Sequence, residues 1–188
     1  TAQITLGSAL FAAGVTYDII AWTELPNNVM DTVNNNDTTA VIVQSSLSGN
    51  FTIGGTTPDY PDFSTAVSDL NSFGICGPVV FDVRSGTYIE QVSLGSVNGA
   101  SSANTIVFRS EDANRDSVIL TFASTTSVAN YTFNFNGADH VSLEQMTIEA
   151  TGPSFGRVLQ FGGVADSNSV WDCRMLGVVS ASTSANYA

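Results

Sequence analysis

Apolar and polar residues alternate along almost the whole chain. The runs "YDIIAWT", "TTAVIV", "FTI", "VVFDV", "IVF", "VILTF", "YTFNF", "VSL", "MTI" and "VLQF" are short, rich in β-branched and aromatic residues, and separated by Gly, Asn, Ser and Asp. That pattern predicts half-buried strands and an all-β architecture. One stretch departs from it. "DFSTAVSDLNSFG", residues 62–74, places Phe63, Val67, Leu70 and Phe73 at helical spacing and stops at Gly74. It predicts one amphipathic helix of about three turns.

Composition shifts near "QSSLSGN", residues 44–50. Before it lie a strand (Tyr17–Thr23), a long Asn/Asp/Pro loop and a second strand (Thr38–Val43). So few strands make too little core to stand alone. The stretch "YDIIAWTELPN…DTVNNNDTTAVIV" resembles the end of an immunoglobulin-like sandwich of the bacterial cell-adhesion-related kind. That resemblance implies that the remaining strands lie upstream or come from a neighbouring molecule, with "TAQITLGSALF", residues 1–11, as a segment for strand addition. The expected division is therefore a partial sandwich segment over 1–46 and a second domain over 47–188.

The second part repeats. "VSLEQMTIEA" aligns with "NSVWDCRMLG" so that Leu143 matches Val170, Met146 matches Cys173 and Ile148 matches Met175, an offset of 27 residues. Each copy carries inward residues on both sides of a short polar corner, Glu144–Gln145 or Trp171–Asp172. "NTIVFRSEDANRDSVILTF" and "NYTFNFNGADHVSLEQMTI" follow the same strand, turn, strand rhythm. Coils of this length fit a right-handed parallel β-helix of about five coils, each rising one strand spacing of ~4.8 Å.

The string "FTIGGTTPDYPDFSTAVSDLNSFGICGPVVFDVRSGTYIEQVSL" resembles the N-terminal cap and first coil of pectin-lyase-like β-helix proteins. In pectinesterases a similar "DF…AV" helix precedes a "V.V..GTY.E.V" coil. The chain is more similar still to large cell-surface β-helix proteins secreted by Bacteroidota. The resemblance covers roughly residues 49–176. It implies a helix laid over an otherwise open coil, a task assigned to Phe63, Val67, Leu70 and Phe73, and an extracellular location. It also implies where chemistry would be sought. Pectinesterases use two Asp and an Arg within Gln-Asp and Val-Asp-Phe-Ile-Phe motifs, and neither motif occurs here. Lyases of this fold use calcium-binding acids and a basic Arg or Lys on one face.

Charge narrows the options further. The chain has 17 acidic residues and five basic ones, all Arg, for a net charge of −12. Nucleic-acid binding needs a basic footprint and is excluded. Charge-driven adhesion to an anionic membrane is excluded for the same reason. No apolar run approaches the ~20 residues of a membrane span. The acidic surface suits a soluble extracellular protein. A start at Thr1 implies a removed signal or a piece of something longer.

Candidate chemistry is sparse. "DANRD" offers Asp112, Asn114 and Asp116 as a weak calcium candidate, but Ser117 stands where a calcium loop has Gly and the terminal Glu is missing, so an Asx-type turn is the favoured reading. His140, the single His, is expected at a polar turn. Arg109, Arg115, Arg157 and Arg174 are expected to lie apart from any acidic cluster in a repeating register. Glu144, Asp172, Asp139 and Asp166 are read as solvated corner residues, since acid–base work needs two carboxylates facing one substrate. Cys76 and Cys173 lie about four coils apart, roughly 19 Å, too far for a disulfide. Asn36, Asn50 and Asn130 open eukaryotic-type sequons. Tyr60, Tyr88, Tyr131 and Trp171 are the aromatics available to a carbohydrate.

No catalytic residue, cofactor or metal beyond the calcium candidate follows from this reading. The expected function is therefore a non-catalytic extracellular adhesin or filament component, self-associating or attached to a surface, with carbohydrate as a possible partner. The rival is a fragment of a polysaccharide lyase or carbohydrate esterase whose active-site coils are absent.

Overall fold

The computed structural model describes residues 9–22 and 38–178. The chain divides into two compact units, Thr1–Ser46 and Leu47–Ala188.

In the first unit β1 (Thr16–Trp22) pairs antiparallel with β2 (Thr38–Gln44), from Thr16 opposite Gln44 to Trp22 opposite Thr38. Alternation places apolar residues on both faces of the pair. Ile19 and Val41 share one face, Ile20 and Ile42 the other, and all four are exposed. The stretch before β1 is tied to the pair: the Ala12 N–H donates to the Tyr17 hydroxyl at 2.7 Å, and the Ser45 hydroxyl donates to the Ala12 carbonyl at 2.6 Å. The strand-addition segment at 1–11 falls mostly outside the described residues, as does Asn36.

The second unit is a parallel β-helix. Its strands are β3 (Leu47–Ile53), β4 (Ile75–Val83), β5 (Gly86–Ile89), β6 (Val92–Gly95), β7 (Ile106–Ser110), β8 (Val118–Phe122), β9 (Phe133–Asn136), β10 (Val141–Glu144), β11 (Thr147–Ala150), β12 (Leu159–Gly162), β13 (Ser169–Trp171) and β14 (Arg174–Leu176). They form three parallel sheets in the orders β3-β4-β7-β10-β13, β5-β8-β11-β14 and β6-β9-β12. Three circuits, β4-β5-β6, β7-β8-β9 and β10-β11-β12, visit all three sheets in turn, with β3 before them and β13-β14 after. The first sheet therefore counts five tiers, as the repeat rhythm requires. The 27-residue offset is realised in the pairing: Leu143 lies beside Val170 and Ile148 beside Met175. The polar corners hold that geometry with a left-handed residue, Gln145 at φ 53° and Asp172 at φ 47°.

The interior is built from the inward column of each sheet. In the five-stranded sheet the column runs Phe51, Phe81, Phe108, Leu143, Val170. Phe51 and Phe81 have ring centroids 5.8 Å apart, and Phe81 stacks on Phe108 at 4.7 Å and 15°. In the three-stranded sheet Phe135 stacks on Phe161 at 4.7 Å. Burial of such aromatic area is the main stabilising term.

The single helix, α1 (Phe63–Phe73), follows β3 and closes the first tier. Phe63, Ala66, Val67 and Leu70 are buried, and Phe73 packs half-buried on the same core. The Phe63 ring lies edge-on to Tyr88 and stacked on Phe108. Asp62 caps the N-terminus through the Thr65 N–H at 2.8 Å. Gly74 ends the helix at φ 65°, where its N–H reaches the Leu70 carbonyl at 3.0 Å and an added Cβ would strike the Asn98 carbonyl. The helix is also clamped from the next coil. Glu90, the acid of "GTYIE", accepts from the Phe63 N–H at 3.1 Å, the Ser64 N–H at 2.7 Å and the Ser64 hydroxyl at 2.6 Å. It satisfies helix-start donors and places negative charge at the positive end of the helix. Asn71 makes the reciprocal contact, accepting the Gly95 N–H at 3.1 Å from the edge of β6.

The outer edge of β3 is closed by the loop that follows it. Asp59 accepts from the Thr52 N–H at 2.7 Å and the Thr52 hydroxyl at 2.8 Å. These bonds, the backbone one foremost, hold its carboxyl below the usual range. Tyr60 is buried behind it, with its hydroxyl donating to Asp69 at 3.2 Å; burial pushes that phenol well up.

Two outcomes follow. Glu90→Ala is expected to cost about 1–3 kcal/mol in urea unfolding, by removing a carboxylate that serves three donors. A variant with an unchanged midpoint would show that the clamp is not holding the helix. Asp59 has a lowered folded pKa, so its contribution is fully present above the ordinary value of 3.8 and is lost as pH falls through the folded value. Asp59→Asn should therefore flatten the acid side of the melting-temperature curve below about pH 4 and leave its slope near neutrality unchanged.

Candidate functional site

The alternation that buries Phe51, Phe81 and Phe108 turns their neighbours outward. One outer column of the five-stranded sheet reads Thr52, Asp82, Arg109, Glu144, Trp171. The next reads Asn50, Val80, Val107, Ser142, Ser169. Adjacent members stand one strand spacing apart, so Asp82 and Glu144 flank Arg109 with backbones roughly 10 Å from each other.

Arg109 donates through Nε to Asp82 Oδ1 at 2.7 Å. The Arg109 side chain stays 42% exposed and the Asp82 side chain 21%. The bond to Asp82, with the charges of Asp82 and Glu144, holds the Arg109 proton more tightly than usual. On the other side, Ser142 donates to Glu144 Oε1 at 2.8 Å, and Ser169 donates to Ser142 at 2.8 Å. Two hydroxyls thus form a relay ending on the Glu144 carboxylate. Beside it runs a shallow groove of about 250 Å³ lined by Thr105, Val107, His140, Ser142, Glu144 and Ser169. His140 adopts φ 58° and holds the turn by accepting the Ile106 N–H at 3.0 Å; its side chain lines the groove. Trp171 closes the column with its side chain largely exposed.

This overturns one expectation directly. Arg109 does sit between two carboxylates in a repeating register. The period hid it: 27 residues separate Asp82 from Arg109, but 35 separate Arg109 from Glu144, because the turns of the intervening coil are longer. A fixed repeat cannot align columns across loops of unequal length.

The other candidates are scattered. Asp172 pairs with Arg115 at 3.1 Å, and Asp116 with Arg174 at 2.8 Å. Asn114 Oδ1 accepts the Asp116 N–H at 3.0 Å in an Asx turn, and Asp112 accepts from the Ser85 hydroxyl. Among the described residues no group of three or more His, Cys, Asp or Glu side chains is arranged to hold a metal ion. Asp139 spends an oxygen on the Asp166 N–H at 2.6 Å. Tyr88 is half-buried, its hydroxyl donating to the Arg84 carbonyl at 2.8 Å, so Trp171 is the aromatic that faces outward beside the column. Asn130 is buried and accepts the Arg157 N–H at 3.1 Å, which excludes a glycan there in the folded state, whereas Asn50 is exposed. The Cys173 thiol donates to the Leu143 carbonyl at 3.3 Å, and burial raises its pKa.

No protein-family model matches the chain, and no curated protein does. Two similar solved structures are both of the pectin methylesterase from Aspergillus niger, one deglycosylated and one keeping an N-acetylglucosamine stub. Each is 18% identical, with a TM-score of 0.48, covering 70% of this chain and 51% of its own. The chain therefore spans about half the length of those structures.

Both neighbours are pectin methylesterases. The expectation of a non-catalytic adhesin or filament protein that is not an enzyme is withdrawn. One of its grounds fails as well, since Arg109 stands between Asp82 and Glu144.

Because Trp171 points away from the core, Trp171→Ala should change stability by no more than about 0.5 kcal/mol. Leu143→Ala, one tier inward, should cost about 2–5 kcal/mol in the same chemical denaturation. Equal losses would mean that the faces are assigned wrongly.

Proposed function

We propose that the β-helix unit belongs to a secreted carbohydrate esterase, and that the outer face of its five-stranded sheet holds the polysaccharide. The observation that carries this reading is the Asp82–Arg109–Glu144 column with the Ser169–Ser142 relay on Glu144. A net charge of −12 without any Lys supports an extracellular setting, and the described residues contain no helix long and apolar enough to cross a membrane. The antiparallel β1–β2 pair, apolar on both exposed faces, supports reading the first unit as part of an immunoglobulin-like sandwich.

The chemistry follows from the groups. Glu144 takes a proton from a water in the groove, and the resulting hydroxide attacks the ester carbonyl. Arg109 faces the oxyanion of the tetrahedral intermediate with its exposed guanidinium. The intermediate collapses as Glu144 returns the proton to the departing alkoxide, giving an acid and an alcohol from ester and water. Asp82 fixes Arg109 and keeps it charged. Ser142 orients the Glu144 carboxylate. Trp171 offers an aromatic platform at the end of the column. A lyase reading fits less well: elimination needs a base that can lose its proton, and Asp82 holds the Arg109 proton more firmly.

The test is ester hydrolysis by the full-length protein on acylated and methyl-esterified polysaccharides, followed by titration of released acid. Glu144→Gln and Arg109→Ala should each lower kcat by about 10²–10⁴ with little change in melting temperature. Hydrolysis undiminished in both variants would remove this column from the chemistry.

A further inference from the structure

Every basic side chain already has a polar partner. The chain has five basic side chains and no Lys. Arg109 is bound to Asp82, Arg84 faces Glu111 at 3.7 Å, Arg115 is bound to Asp172 and Arg174 to Asp116. The fifth, Arg157, donates to Gln160 Oε1 at 3.1 Å from the three-stranded sheet. Recognition of a uronate carboxylate calls for a cation whose charge is not already balanced by a neighbouring carboxylate, in bidentate geometry where Arg is used. On the outer face of the five-stranded sheet the one cation stands between two carboxylates, so the column carries a net negative charge. Across the two outer columns the remaining groups are the hydroxyls of Thr52, Ser142 and Ser169, the Asn50 amide, Val80, Val107 and the Trp171 indole. Hydroxyls and an exposed aromatic ring match the hydroxyls and apolar faces of neutral sugars.

Resting on the esterase reading, we infer that this face takes an uncharged glycan chain and rejects a polyuronate. A free carboxylate on every residue of the ligand would meet Asp82 and Glu144, and like charges brought together at an interface are costly. Esters on such a ligand would sit on sugar hydroxyls, or on uronates whose carboxyls are fully esterified.

Calorimetric titration of the full-length protein with soluble hydroxyethylcellulose and with polygalacturonate separates the outcomes, with Trp171→Ala assigning the binding to this face. The neutral polymer is expected to bind at least about tenfold more tightly at low salt. The gap should narrow as ionic strength rises and the repulsion is screened. In the Asp82→Asn/Glu144→Gln double variant the ratio of polyuronate to neutral affinity should rise by at least about tenfold. Polyuronate binding as tight as neutral binding, or insensitive to salt and to the double variant, overturns the inference and leaves the esterase reading standing. If neither polymer binds, or Trp171→Ala changes neither, both fall.

Discussion

Everything in the β-helix unit depends on the inward stack Phe51, Phe81, Phe108. Strands in a parallel sheet slip easily in principle, and a slip of one residue exchanges the buried face for the exposed one. Three aromatic rings in adjacent tiers make that exchange prohibitive, because it would carry several large apolar side chains into water and polar ones into the core. The outer column is fixed by the same stack. Asp82 faces Arg109, and Arg109 faces Glu144, because the residue just before each is locked inside. Chemistry on the outside is thus positioned by packing on the inside.

A parallel coil has a second requirement, an end that does not leave its core open. Here α1 covers the first tier, and the covering is made specific by polar contacts rather than by apolar area alone. Glu90 reaches back from the following coil to the helix N-terminus, and Asn71 reaches forward to the β6 edge. The Asp59 loop seals the remaining edge of β3. The rigid first tier that results gives the column on the five-stranded sheet a fixed starting point.

How much of this is legible in the chain depends on the range of the interaction. Alternation within five residues announces the strands, and the spacing of Phe63, Val67 and Leu70 with Gly74 announces the helix and its stop. The 27-residue offset between Leu143 and Val170 is legible because both coils have the same length. The outer column is not, since the coil between Arg109 and Glu144 is longer and a fixed period loses the register there. Glu90 stands in plain view in "GTYIE", but its partner lies 26 residues away and only the closed tier brings them together. Asn130 reads as an open sequon because burial is a property of the tier, not of the tripeptide. The grouping of Asp82, Arg109 and Glu144 escapes a reading of the sequence for the same reason. A motif is contiguous along the chain, whereas Asp82, Arg109 and Glu144 meet across it.

The pairing of the arginines reaches beyond electrostatics. All five lie between residues 84 and 174, within the β-helix unit, and the first unit has no basic side chain at all. A protease that cuts after basic residues finds five bonds in 188 residues. Such an enzyme must draw the flanking backbone into an extended conformation in its cleft, with the basic side chain free to enter a pocket. Four of these side chains are tied to a carboxylate, and their flanking backbone belongs to strands or tight corners paired to neighbouring tiers. Cleavage at those four bonds has to wait for a coil to open, so resistance there to a protease of that class is set by how often the coils open rather than by the number of cuttable bonds.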